Sequence, residues 1–199
     1  MKIISLGGIG GCDLAQALRN LNQQTYPYDW LITTQTFVIN SFNDINNFFV
    51  FDEKYLYDNS YLIVDNKKAI MLHDFNNYFL QKEDVITKYK RRFERLNDSL
   101  NSNDDILFVR IYDNLQENLF PAKFYDNILI RDEEDIYKWE IFINYIQSKY
   151  NKKIKLLIIT SREDICCKTH NNIILCYTKE HKNVQTISNI IQDTLQSAF

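Results

Sequence analysis

Four side chains within the first 75 residues have the types needed for thiol-based hydrolysis: Cys12, Asp29, His73 and Asp74. A thiol attacks a carbonyl once an imidazole has taken its proton, and the imidazole works best when a carboxylate fixes its orientation. Cys12 follows Gly7-Gly8-Ile9-Gly10-Gly11, a turn that holds all four glycines of the chain. It precedes Leu14-Ala15-Gln16-Ala17-Leu18-Arg19, a run of strong helix formers. At such a junction the unpaired N–H groups and the helix dipole favour a thiolate and equally an anion pocket. A backbone N–H near Gly11 or Cys12 would serve an oxyanion. His73 ends the apolar run Met71-Leu72 and is the candidate general base. Asp29 is presented on Tyr26-Pro27-Tyr28-Asp29-Trp30, where proline fixes its own φ and restricts Tyr26 to extended conformations. Asp29 or Asp74 is the acid expected to orient the imidazole. The competing role for Asp29 is to cap a helix beginning at Leu31.

The cations come next. Lys88, Arg91, Arg92 and Arg95 fall within one or two helical turns of one another, which predicts a solvated basic face or a set of contacts to an acidic substrate. Arg110 interrupts the apolar run Leu107-Phe108-Val109 and calls for a carboxylate partner or a place at the cleft. Gly10, Gly11, Trp30, Arg92 and Arg110 are therefore the expected substrate-binding residues. The alternative function is a phosphate- or nucleotide-binding, or inactive, interaction domain built on the glycine turn. Ser5-Leu6-Gly7-Gly8-Ile9-Gly10 almost spells a dinucleotide fingerprint, but Ser5 stands where the first glycine belongs, and no clean second strand follows at Gln23 to Trp30. No cofactor is implied. The histidines form no paired ligand motif, Cys166-Cys167 and Cys176 have no zinc spacing, and metal catalysis is not expected. His170 and His181 sit in polar loops and read as solvent-exposed.

Four elements must position these groups: Lys2 to Leu6, Asp105 to Ile111, Lys155 to Thr160 and Asn172 to Tyr177. Each is a short, continuous, β-branched apolar run, the pattern of parallel strands covered on both faces. Helical stripes lie at Asp13 to Leu21, Asp84 to Leu100, Glu133 to Tyr150 and Val184 to Ala198. The expected fold is one α/β domain spanning residues 1–199, with a mainly parallel central sheet and helices on both faces. An insertion carries a helix at Thr36 to Phe51 and a hairpin of Tyr61 to Val64 with Ala69 to Leu72. That insertion is expected over the carboxyl ends of the strands, where α/β ligand sites form. The run Arg131 to Asp135 reads as a solvated helix start.

Composition bounds the rest. The 199 residues carry a net charge of −3 with 45% hydrophobic and 14% aromatic side chains, which excludes a disordered chain and argues against nucleic acid as partner. No signal peptide is expected, since Met1-Lys2-Ile3-Ile4 leads straight into the glycine turn, and no apolar run reaches the roughly 20 residues of a bilayer span. Reduced thiols in a cytoplasmic protein are expected.

In order along residues 2 to 111, the segments resemble a family described as papain-like cysteine peptidases. The resemblance is carried by Ser5-Leu6-Gly7, Cys12, Ala15, Leu18, Pro27-Tyr28-Asp29-Trp30, His73-Asp74, Lys88-Tyr89-Lys90-Arg91-Arg92 and Phe108-Val109-Arg110. Here the glycine turn is two residues longer than the family's Ser-Leu-Gly-x-x-Cys spacing. The resemblance implies a peptide or amide-containing substrate and offers a papain-like α+β arrangement as the alternative fold.

Overall fold

A computed structural model of the chain describes residues 1–43, 56–57, 61–64, 69–71, 78–112, 135–163 and 170–198. His73, Asp74, Cys166, Cys167 and residues 131–134 lie outside the described residues. The elements are β1 (Lys2–Gly8), α1 (Gly11–Asn20), β2 (Leu31–Thr33), α2 (Gln35–Ser41), β3 (Leu56–Tyr57), β4 (Tyr61–Val64), β5 (Ala69–Met71) and α3 (Tyr78–Asn101). They continue with β6 (Ile106–Tyr112), α4 (Ile136–Tyr150), β7 (Ile154–Thr160), β8 (Ile173–Tyr177) and α5 (Val184–Ala198).

The four β-branched runs form one sheet in the order β1-β6-β7-β8, parallel at every pairing. The architecture is α/β, not papain-like α+β. The strands are apolar on both faces, so each face needs a cover of helices. On one face Val85, Tyr89, Phe93, Leu96 and Leu100 of α3 and Trp139, Phe142, Ile143 and Ile146 of α4 bury Ile4, Leu6, Phe108 and Ile158. On the other, Leu14, Ala17 and Leu18 of α1 and Ile187 and Ile191 of α5 bury Ile3, Leu107, Val109 and Ile159. The helical stripes legible in the sequence are thus core faces.

The insertion forms a second sheet, β2-β5-β4-β3, antiparallel throughout, and the expected hairpin is β4 with β5. Of the expected helix at Thr36 to Phe51, α2 covers Gln35–Ser41, started by Thr34, whose hydroxyl accepts from the Phe37 amide at 3.1 Å; residues 44–51 lie outside the described residues. Helix α4 starts one residue after Asp135, whose carboxylate accepts from the Tyr137 amide at 2.9 Å. No helix among the described residues is long and apolar enough to cross a membrane.

Candidate active site

The glycine turn is shaped by what presses on it. Gly7 and Gly8 hold φ of +69° and +109°, which side chains with a β-carbon rarely adopt. A β-carbon on Gly8 would stand 1.9 Å from the Ile111 carbonyl oxygen, and one on Gly11 would stand 2.1 Å from that of Leu31. Strand β1 slips register against β6 between Ser5 and Gly8, a bulge that ends regular pairing at the sheet's carboxyl edge. The Gly7 amide donates to the Ser5 hydroxyl and the Gly8 amide to the Thr33 hydroxyl, each at 3.0 Å. The glycines thus let β6 and β2 approach closely, and two of their amides are bonded within the protein.

Thr33 joins the two sheets. Its hydroxyl accepts from Gly8 and from Arg110 Nη1 at 2.9 Å, and donates to the Leu6 carbonyl at 2.9 Å, which uses one donor and both acceptor positions. Arg110 also gives Nη1 to the Leu6 carbonyl at 3.0 Å and Nη2 to the Thr33 carbonyl at 2.9 Å. It is 2% exposed, with the Trp139 ring 5.4 Å from its guanidinium carbon. The sequence reading sought a carboxylate partner or a place at the cleft for this arginine. Backbone carbonyls and a threonine hydroxyl meet it here, and the side chain braces β6 against β1 and β2.

Cys12 lies in the first turn of α1, whose N-cap, Gly10, offers no side-chain bond. Burial, aided by the neighbouring Asp13 carboxylate, pushes the thiol up to about 11. The dipole was expected to favour a thiolate. Burial and the Asp13 charge both act against the charged form.

Asp29 is 2% exposed. Its Oδ2 accepts from the Tyr26 amide at 2.7 Å, closing the Pro27 turn on itself. Asp29 therefore caps its own turn and not a helix after it, since Leu31 begins a strand. Burial pushes the carboxyl up to about 6, opposed by the Tyr26 amide, Arg92, the Ser5 hydroxyl and Arg95. Among the described residues its second oxygen, Oδ1, is buried without a hydrogen-bond partner, as is Nη1 of Arg92. The basic face of α3 is divided accordingly. Arg91 is exposed, whereas Arg92 is 6% exposed and rests over the Tyr89 ring at 5.1 Å, and Arg95 ties α3 to Thr25. Sequence reasoning passed over Ser5 and Thr33. The available signal was a hydroxyl inside an otherwise apolar strand.

Trp30 completes the corner with φ of +69°, a rare backbone for an aromatic residue, and lies under the guanidinium of Arg19 at 5.1 Å. Leu31 follows. It stands opposite Met71 in the antiparallel register of β2 and β5, while its carbonyl covers Gly11. Among the remaining histidines, His170 Nδ1 lies 3.7 Å from a Glu140 oxygen. His181 is 7% exposed, not solvated as its polar neighbours suggested. Among the described residues no three His, Cys, Asp or Glu side chains gather as a metal site.

No curated protein and no solved structure matches the chain. A family model matches residues 1–123 of the 199, the stretch that contains the glycine turn, the Pro27 corner, the second sheet and Arg110. The chain belongs to the family described as "Putative papain-like cysteine peptidase (DUF1796)".

Proposed function

We propose that the protein is a cysteine-dependent hydrolase or acyl transferase acting on a peptide or another amide-containing substrate, with Cys12 as nucleophile, His73 as base and Asp29 as the acid that orients it. One observation carries the reading: three segments meet at Leu31. Its carbonyl covers Gly11, the residue before Cys12; Asp29 precedes it by two residues; and its register partner is Met71, two residues before His73. Asp29 Oδ1, buried and unbonded, supplies an acceptor for an imidazole N–H. Asp74 is the second candidate for that task. In an extended backbone, though, its side chain and that of His73 point to opposite faces.

In this reading His73 takes the proton from the Cys12 thiol as the sulfur bonds to the substrate carbonyl carbon. The oxyanion that forms is held by an amide near Gly11 or Cys12. Collapse of this intermediate breaks the carbon–nitrogen bond, and the imidazolium returns the proton to the departing amine. Water, deprotonated by the same imidazole, or an acceptor amine then attacks the thioester and releases the thiol. A thiol resting near 11 makes the base necessary. Arg92 and Trp30 are the proposed substrate contacts, with Gly10 and Gly11 shaping the backbone beside the sulfur.

The test is to incubate the protein with a peptide library and read newly formed termini or transferred acyl groups by mass spectrometry. Cleavage or transfer that disappears in both Cys12→Ala and His73→Ala is expected. Products that persist in Cys12→Ala would refute the assignment.

A further inference from the structure

The four parallel strands end at one carboxyl edge, where α/β proteins take their ligands. The register sets Ile111 beside Gly8 at the ends of β6 and β1, and Tyr112 beside Thr160 at those of β6 and β7. Gly10, two residues before Cys12, packs against the same Ile111: a β-carbon there would stand 2.6 Å from its Cγ2. Just past β7, Arg162 is held through both its backbone and its side chain. Its amide donates to the Thr160 hydroxyl at 3.0 Å, and its Nη1 donates to the Tyr112 hydroxyl at 2.9 Å. Its guanidinium carbon lies 5.6 Å from the centre of the Tyr112 ring. Thr160 and Tyr112 are buried, whereas Arg162 is half-buried. Both of these partners are neutral hydroxyls, so they orient the guanidinium and leave its charge in place. Side chains alternate along β6, so Tyr112 shares its face with Arg110. Arg110 is sealed within the protein; Arg162 is the one of the two that reaches solvent.

We infer that Arg162 is a specificity-determining residue that takes a carboxylate of the substrate, an acidic peptide whose Glu or Asp side chain lies one or two residues from the bond that is cut. The inference rests on Cys12 being the reacting thiol, and it adds to that reading a contact from beyond the 1–123 family match. A guanidinium presents its N–H groups as a rigid planar fork that matches a carboxylate. Two strand spacings, about 10 Å, separate the end of β1 from that of β7. One or two extended residues at about 3.4 Å each, with a glutamate side chain beyond them, cover that span. Two guanidinium groups on one side of the edge favour a negative partner. Of the acids described near this edge, Asp135 is engaged at the start of α4 and Glu163 is exposed to solvent.

The experiment uses two reagents of equal length, N-iodoacetyl-Gly-Glu-amide and N-iodoacetyl-Gly-Gln-amide, and follows alkylation of Cys12 in the full chain by peptide-resolved mass spectrometry. The sulfur displaces iodide from the same carbon in both, so only the charge at the side-chain tip differs. At limiting concentration the native protein should take the Glu reagent about tenfold faster than the Gln reagent, the scale of one charge-assisted hydrogen bond. The ratio should fall to about one in Arg162→Gln and lie between the two in Arg162→Lys, which keeps the charge without the fork. Tyr112→Phe keeps the ring but releases its hold on the guanidinium, and the ratio should fall there too. A merely structural Arg162 would slow both reagents together and leave their ratio standing. A native ratio near unity, or a preference that persists in Arg162→Gln, would overturn the inference. Should Arg162→Gln fail to fold, the ratio in Tyr112→Phe decides, and an unmoved ratio overturns it. No amide is cut in this reaction, so the two readings fail separately. A Glu preference that depends on Arg162, without cleavage of any peptide, would sink the hydrolase reading alone; cleavage without the preference would sink this inference alone.

Discussion

Leu31 faces Met71 across the β2–β5 ladder and at the same time lays its carbonyl oxygen where a β-carbon on Gly11 would come within 2.1 Å. This one residue thus gathers the Cys12 turn, the Asp29 corner and the strand end that leads to His73. Because the obstructing atom is backbone, it cannot swing aside as a side-chain tip would. Gly11→Ala should therefore cost about 1–3 kcal/mol by forcing the start of α1 away from β2. Urea unfolding would measure the loss, and Cys12 alkylation should change with it. A neutral Gly11→Ala would mean the two segments are not held together.

Thr33 is the second point to test. Valine has nearly the same shape but leaves the Gly8 amide and the Arg110 guanidinium without the hydroxyl that both use. A buried donor that loses its partner costs about 1–3 kcal/mol, more for a charged one. Thr33→Val should be destabilised by that order, and Thr33→Ser should remain close to the native protein. Equal stability of the two variants would remove the brace from the account.

Asp29 makes a signed prediction about pH. Its carboxyl is raised from 3.8 to about 6 by burial, so between those values the folded chain holds a proton that the unfolded chain has released. Stability from this group is then greatest at the acidic end and falls as pH climbs to about 6, by about 3 kcal/mol in all. Asp29→Asn keeps an acceptor for the Tyr26 amide and cannot titrate. The native-minus-variant difference in unfolding free energy should decline with pH across that window and be flat above it. A difference that rises with pH there would contradict the burial argument.

The fold was largely legible because its causes are local. Short continuous apolar runs with β-branched residues, such as Leu156-Leu157-Ile158-Ile159, have the pattern of strands covered on both faces, and the α3 stripe from Val85 to Leu96 has that of a buried helix face. For the candidate site the sequence offers residue types but not their environments. Glycine in the turn looked like room for a ligand, and nothing nearby in sequence announces the carbonyls of Ile111 and Leu31 that press on Gly8 and Gly11 from far along the chain. Arg110 was read as needing an acid or a place at the cleft, and nothing nearby in sequence announces that Leu6 and Thr33 turn oxygens toward it. His181 looked exposed for the same reason: its neighbours are polar, while the surface that buries it lies elsewhere in the sequence. For Cys12 the dipole of α1 was visible in the sequence, and the burial that raises the thiol was not.

The measurement closest to the central claim is a pre-steady-state reaction with p-nitrophenyl acetate, an acyl donor that needs no specific recognition. A cysteine nucleophile with a working base should release one equivalent of p-nitrophenolate in a burst and leave an acetyl thioester on Cys12, identified by mass spectrometry and labile to hydroxylamine. The burst should vanish in Cys12→Ala and slow by about 10²–10⁴-fold in His73→Ala. A burst that survives Cys12→Ala, or an acetyl group found only on Cys166, Cys167 or Cys176, would contradict the account.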